Sequence, residues 1–147
     1  MSAHPHFEEF LRLLERNSVD YMIVGGYAVA FHGWPRFTGD IDIFYDNSPE
    51  NICRLKKTLR DFGFPEQDVP DSSFFLKKGE MLTFGVPPIR VDLMNDIDGV
   101  SYEEAKRNLV RSKYGKVEVS FIGREELLKN KRSTKRAKDK ADLEELS

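Results

Sequence analysis

Residues 4–15 carry Phe7, Phe10, Leu11 and Leu14 at helical spacing among charged residues, which predicts an amphipathic helix stopped by Asn17-Ser18. The period then changes. Residues 21–24 are a short apolar run suited to a buried strand, and after Gly25-Gly26 the small and apolar residues 27–32 predict a helix closed by Gly33. Trp34-Pro35 falls in the loop that follows. In residues 40–45 Asp40 and Asp42 alternate with Ile41 and Ile43, the period of a strand. Ser48 and Pro49 then read as the cap and first position of a helix over 50–62, with Ile52, Leu55, Leu59 and Phe62 on one face. Residues 63–73 are a polar loop. Residues 74–76 and 81–84 predict a hairpin around Lys77-Lys78-Gly79-Glu80. Residues 89–94 alternate Ile89, Val91 and Leu93 against Arg90, Asp92 and Met94, again as a strand. Ser101 and Glu104 sit at capping-box positions of a helix over 101–110, and Val117, Val119 and Phe121 mark a last strand. Two helical pieces, 125–131 and 136–146, close the chain.

This order predicts an α/β (α+β) fold, a small mixed β-sheet flanked by helices, with the C-terminal helices closing one side. No repeat, low-complexity tract or linker interrupts it. The 147 residues therefore read as one domain, with a core over about 18–123 and a C-terminal helical element over about 124–147.

Composition narrows the class. The chain is 39% hydrophobic and 33% charged, as in a soluble protein with a heavily charged surface. A net charge of −2 argues against a molecule that holds nucleic acid by overall charge. Cys53 is the single cysteine, which excludes an internal disulfide. His4, Pro5, Glu8 and Glu9 stand where a signal peptide would need a basic start and an apolar run, and no apolar stretch reaches membrane-spanning length. The expectation is a cytoplasmic protein with no membrane association.

The chemistry concentrates in residues 21–45. Asp is disfavoured in strands, and alternation puts Asp40 and Asp42 on one face. Their like charges repel unless a cation lies between them, most simply a divalent metal with hard oxygen ligands. The Gly25-Gly26 turn ends a strand and opens a helix, where backbone N–H groups and the helix dipole favour phosphate. Asp92 joins the pair if the strands at 40–45 and 89–94 are neighbours. Asp96 and Asp98 compete for that third position, but Asp96-Ile97-Asp98-Gly99 reads as a turn, so Asp92 is preferred. A calcium-loop reading of residues 94–105 fails, because its first position would be Met94 and its bidentate Glu position is Ala105. Neither a Walker A motif nor Gly-x-Gly-x-x-Gly occurs.

An apolar strand, Gly25-Gly26, a short helix, the Arg36-Phe37-Thr38 lead-in and Asp40-Ile41-Asp42 together resemble the nucleotidyltransferase superfamily typified by DNA polymerase beta. The nearest likeness is to its small prokaryotic members, the abortive-infection-type and minimal nucleotidyltransferases. The tail, with Lys131, Arg132, Lys138, Asp139, Asp142 and Leu143, resembles a Lys-Arg…Lys-Asp-x-x-Asp-Leu element that follows their catalytic core. The resemblance implies the nucleotidyltransferase fold and metal-dependent transfer of a nucleoside monophosphate from a nucleoside triphosphate such as ATP to a hydroxyl, releasing pyrophosphate. It implies two Mg²⁺ ions, with Mn²⁺ as a substitute, on the catalytic carboxylates Asp40, Asp42 and Asp92. Gly25, Gly26, Arg36, Thr38, Lys131 and Lys138 would serve the nucleotide. Members often carry Ser where this chain has Gly26, so a hydroxyl contact to phosphate is missing here. The resemblance leaves the acceptor open among a small molecule, an RNA end and a protein, and implies room for a partner protein or a second copy to complete a site this small. Two other classes stand beside this reading. One is a non-catalytic or weakly catalytic binding partner, such as the antitoxin or regulatory half of a toxin–antitoxin pair. The other is a nucleic-acid-binding module built on the basic residues 129–140.

Overall fold

The computed structural model describes residues 3–33, 39–86 and 88–134. Their frame is a six-stranded mixed sheet in the order β3-β4-β2-β1-β6-β5. The strands are β1 (Tyr21–Val24), β2 (Asp40–Tyr45), β3 (Met81–Val86), β4 (Ile89–Met94), β5 (Val110–Tyr114) and β6 (Val117–Phe121). β2 runs parallel to β4 and β1 parallel to β6, while the other neighbours pair antiparallel. Among the described residues six α-helices accompany the sheet: α1 (Pro5–Arg16), α2 (Gly25–Phe31), α3 (Pro49–Phe62), α4 (Ser72–Leu76), α5 (Tyr102–Lys106) and α6 (Arg124–Arg132). None of these is long and apolar enough to cross a membrane.

The alternation along β2 sorts the molecule into two sides. Ile41, Ile43 and Tyr45 join Phe10, Leu11 and Leu14 of α1 and Ile52, Leu55 and Leu59 of α3 in one core cluster. Phe44 instead meets Met22 and Val24 of β1, Ala105 of α5 and Leu127 and Leu128 of α6. Asp40 and Asp42 share the parity of Phe44, so both lie on the α5–α6 side of the sheet. Capping fixes α3 locally: Ser48 accepts from the Asn51 N–H, Pro49 opens the helix, and Gly63 ends it at φ 118°.

Two predicted elements take another form. Residues 74–76 are helical rather than one arm of a hairpin, and β3 pairs instead with β4, from Met81↔Met94 to Val86↔Ile89. Three apolar residues satisfy either period, and here Phe75 is fully buried from a single helical turn. The helix expected over 101–110 stops at Lys106, and Val110 opens β5, which returns as β6 through the turn at Gly115 (φ 60°). α2 also begins at Gly25 itself, not at Tyr27. The helix expected over 136–146 lies outside the described residues.

Asn51 is the polar knot of the core. Fully buried, its amide accepts from the Asp20 N–H (2.7 Å) and donates to the carbonyls of Asp20 (2.9 Å) and Asp46 (2.7 Å). These bonds tie the start of α3 to the loops before β1 and after β2. Asn51→Ala orphans buried backbone groups and is expected to cost about 2–4 kcal/mol in urea unfolding. A loss under about 1 kcal/mol would show that water replaces the amide there.

Candidate active site

Parallel pairing of β2 with β4 sets Asp42 opposite Asp92 and Asp40 opposite Arg90. Asp40, Asp42 and Asp92 therefore meet on one face of two neighbouring strands, while Asp96 and Asp98 fall in the turn beyond β4. Asp92 is buried, and Asp40 and Asp42 are half-buried.

A side-chain cation bridges two of these carboxylates, Asp40 and Asp92. An Arg90 terminal nitrogen donates to Asp40 Oδ2 at 2.6 Å and approaches Asp92 Oδ2 at 3.3 Å. Thr83 Oγ1 of the adjoining strand donates to Asp92 Oδ1 at 2.8 Å. The buried Arg90 Nε has no hydrogen-bond partner among the described residues, and the guanidinium's bonds to the carboxylates run through a terminal nitrogen. Among the described residues, no three His, Cys, Asp or Glu side chains converge into a metal-holding group. The donor chemistry still suits a hard divalent cation, since three carboxylates share one face. Arg90 occupies the bridging position between two of them, and a cation seated there has to displace it from at least one oxygen.

Both glycines lie at the start of α2, with Val24 as its cap residue. Gly25 takes φ 68°, and a Cβ there would collide with the Asp42 carboxylate. The glycine thus lets the helix start press directly on the carboxylate. A cavity of about 340 Å³ opens beside this contact, lined by Gly25 and Asp42, by Met94 and the 96–98 turn, and by Asn130, Lys131 and Thr134. Lys131 is only 2% exposed. α6 is pinned to this place: the Asn130 amide donates to the Asp98 carbonyl at 2.9 Å, and Lys129 pairs with Glu104 at 2.6 Å. A larger, open depression of about 700 Å³, between α1, Asp61 and Lys116, contains none of the predicted site residues.

Of the predicted residues, Asp40, Asp42, Asp92, Gly25 and Lys131 thus gather around one face and one cavity, with Gly26 buried next to Gly25. Arg36, Thr38 and Lys138 lie outside the described residues. His32 is a structural residue, its ring Nε2 bonded to the Ile122 carbonyl at 2.7 Å. Burial pushes the Tyr27 phenol well above its usual range, and Tyr114 and the charge of Asp40 add to the shift. Arg90 and Thr83 were not among the predicted site residues. Alternation alone put Arg90 on the face of Asp92, two residues upstream, but Thr83 needs the register of β3 against β4.

No protein-family model matches the chain, and no curated protein matches it in sequence. Among solved structures, the crystal structure of the lincosamide antibiotic adenylyltransferase LnuA with lincomycin bound is similar. The TM-score is 0.57 at 18% identity, and the match covers 99% of this chain and 96% of that one. The chain has this nucleotidyltransferase-like α+β fold.

If Arg90 stands in for a cation, Arg90→Met exposes Asp40 and Asp92 to their own repulsion. In EDTA the variant should lose about 1–2 kcal/mol of stability, and Mg²⁺ should restore more of it than it adds to the wild type. Thermal unfolding with and without Mg²⁺ reads this, and an equal Mg²⁺ response in both proteins would contradict it.

Proposed function

We propose that the chain is a metal-dependent nucleotidyltransferase, moving a nucleoside monophosphate from a nucleoside triphosphate to a hydroxyl and releasing pyrophosphate. The observation that carries this reading is the in-register carboxylate set of β2 and β4 beside a cavity that also holds Gly25 and a buried lysine. The fold shared with an adenylyltransferase supports it. Asp40, Asp42 and Asp92 would hold two Mg²⁺ ions, or Mn²⁺, which when bound neutralise triphosphate charge and acidify the acceptor hydroxyl.

The protein's own groups have separate tasks. Lys131, carried into the cavity by α6, supplies a positive charge for the phosphates from a water-poor wall. Gly25, by lacking a side chain, leaves backbone and carboxylate facing the same space. Gly26, Arg36, Thr38 and Lys138 complete the nucleotide contacts in this reading. In the transfer the acceptor oxygen forms a bond to the α-phosphorus and the bond to the bridging oxygen breaks. Pyrophosphate carries away the electron pair, and Asp92 takes the acceptor proton. In-line transfer of this kind depends on positioning and on charge neutralisation more than on covalent catalysis. LnuA is a lincosamide antibiotic adenylyltransferase, which favours a small hydroxylated molecule as acceptor over an RNA end or a protein.

One observation favours a second reading, a non-catalytic binding partner such as an antitoxin subunit. Arg90 already satisfies Asp40 and Asp92, as it would in a site that has lost its metal. The two readings part on turnover. Asp42→Asn should keep the fold and lower transfer by at least about a hundredfold. Transfer is measured as pyrophosphate release and as α-labelled nucleotide on hydroxyl-bearing antibiotics, RNA and protein, with Mg²⁺ or EDTA. Activity unchanged in the variant would remove these carboxylates from the mechanism, and a folded wild type without turnover on any acceptor would favour the binding partner.

A further inference from the structure

The third carboxylate is held by more than its own strand. β3 is an edge strand, yet it is firmly seated: Phe84 packs edge-on against Phe10 (5.3 Å between ring centres) and Phe64 (5.0 Å). At Gly85 (φ 83°) a Cβ would collide with the Ile89 carbonyl, so the hairpin is tight and its register is pinned. With Leu82 and Phe84 packed against the core, Thr83 points to the opposite face, directly across from Asp92 in the antiparallel pair. Its hydroxyl donates to Asp92 Oδ1, while Arg90 approaches Asp92 Oδ2. The two holds differ in kind. Arg90 also pairs with Asp40 and competes with any cation for those oxygens, whereas Thr83 is neutral and uses the other oxygen of Asp92.

We propose that Thr83 is a positioning residue for the transfer reaction: it fixes the Asp92 carboxylate from the edge strand when Arg90 gives way to a cation. The inference rests on the functional reading above. A hydroxyl donor on the outer oxygen sets the plane of the carboxylate without adding a charge of its own, as outer hydrogen-bond partners of ligating carboxylates do. A threonine also suits an exposed strand position, where its branched Cβ restricts the side-chain rotamer and limits the hydroxyl's alternatives.

The test compares Thr83→Val, which keeps the shape and removes the donor, with Thr83→Ser, which keeps the donor. Mn²⁺ binding followed by electron paramagnetic resonance, in the presence of ATP, gives a readout independent of turnover. Thr83→Val should weaken Mn²⁺ binding by about 10-fold or more and lower kcat for pyrophosphate release by a similar factor. KM for the nucleotide should stay within about twofold, and Thr83→Ser should recover both properties. Wild-type Mn²⁺ affinity and kcat in Thr83→Val would overturn the role. So would a loss that Thr83→Ser fails to rescue, or one confined to KM. A wild type that binds no Mn²⁺ would instead overturn the nucleotidyltransferase reading and the inference with it, so the two failures are distinguishable.

Discussion

One guanidinium bridges two of the three carboxylates that share a face, Asp40 and Asp92. Adjacent strands lie about 4.8 Å apart, and two carboxylates facing each other at that spacing repel by about 3 kcal/mol at an effective dielectric near 20. Parallel pairing of β2 and β4 imposes that juxtaposition on Asp42 and Asp92, and the same register brings Arg90 to Asp40. Asp40 and Asp92 are satisfied through a charge-assisted bond at 2.6 Å and a longer contact at 3.3 Å. The fold thus holds a charge arrangement that an apolar strand pair would not tolerate on its own. The rest of the molecule serves that pairing: one apolar side, built with α1 and α3, holds the sheet, and the α5–α6 side leaves room beside Asp42.

The cavity completes a division of labour between charges. Asp42 lines the sheet wall, with Asp96 and Asp98 in the turn beside it, and a lysine almost fully buried on α6 stands on the other wall. A triphosphate with its metal is the kind of ligand that matches both signs at once, negative toward lysine and positive toward carboxylate. Gly25 is what lets the two walls approach, because no side chain separates the start of α2 from Asp42.

Much of this was legible from the sequence, for identifiable reasons. Strict alternation at Asp40–Tyr45 fixed the face of each carboxylate, and a cap and a proline marked the start of α3, while the left-handed Gly63 that ends it was read only as loop. The expectation was a divalent metal between Asp40 and Asp42; the bridge the structure shows is Arg90 between Asp40 and Asp92, made by a strand pairing that only the tertiary fold supplies. Thr83 was hidden because β3 was assigned to another hairpin. β5 went unseen because Arg111, Ser112 and Lys113 make a polar edge strand with little hydrophobic signature. Lys131 looks solvated within the charged run of α6, yet it is buried on a helix that Asn130 ties to the 96–98 turn.

The central claim is that the β2–β4 carboxylates and the adjoining cavity bind a nucleoside triphosphate through a divalent metal. Thermal unfolding of the wild type and of Asp42→Asn, with each of the four nucleoside triphosphates in Mg²⁺ and in EDTA, tests it most directly. The account predicts stabilisation of the wild type that needs Mg²⁺ and disappears in Asp42→Asn, with the size of the shift ranking the bases. Stabilisation that persists in EDTA or in the variant, or no shift with any triphosphate, would contradict it.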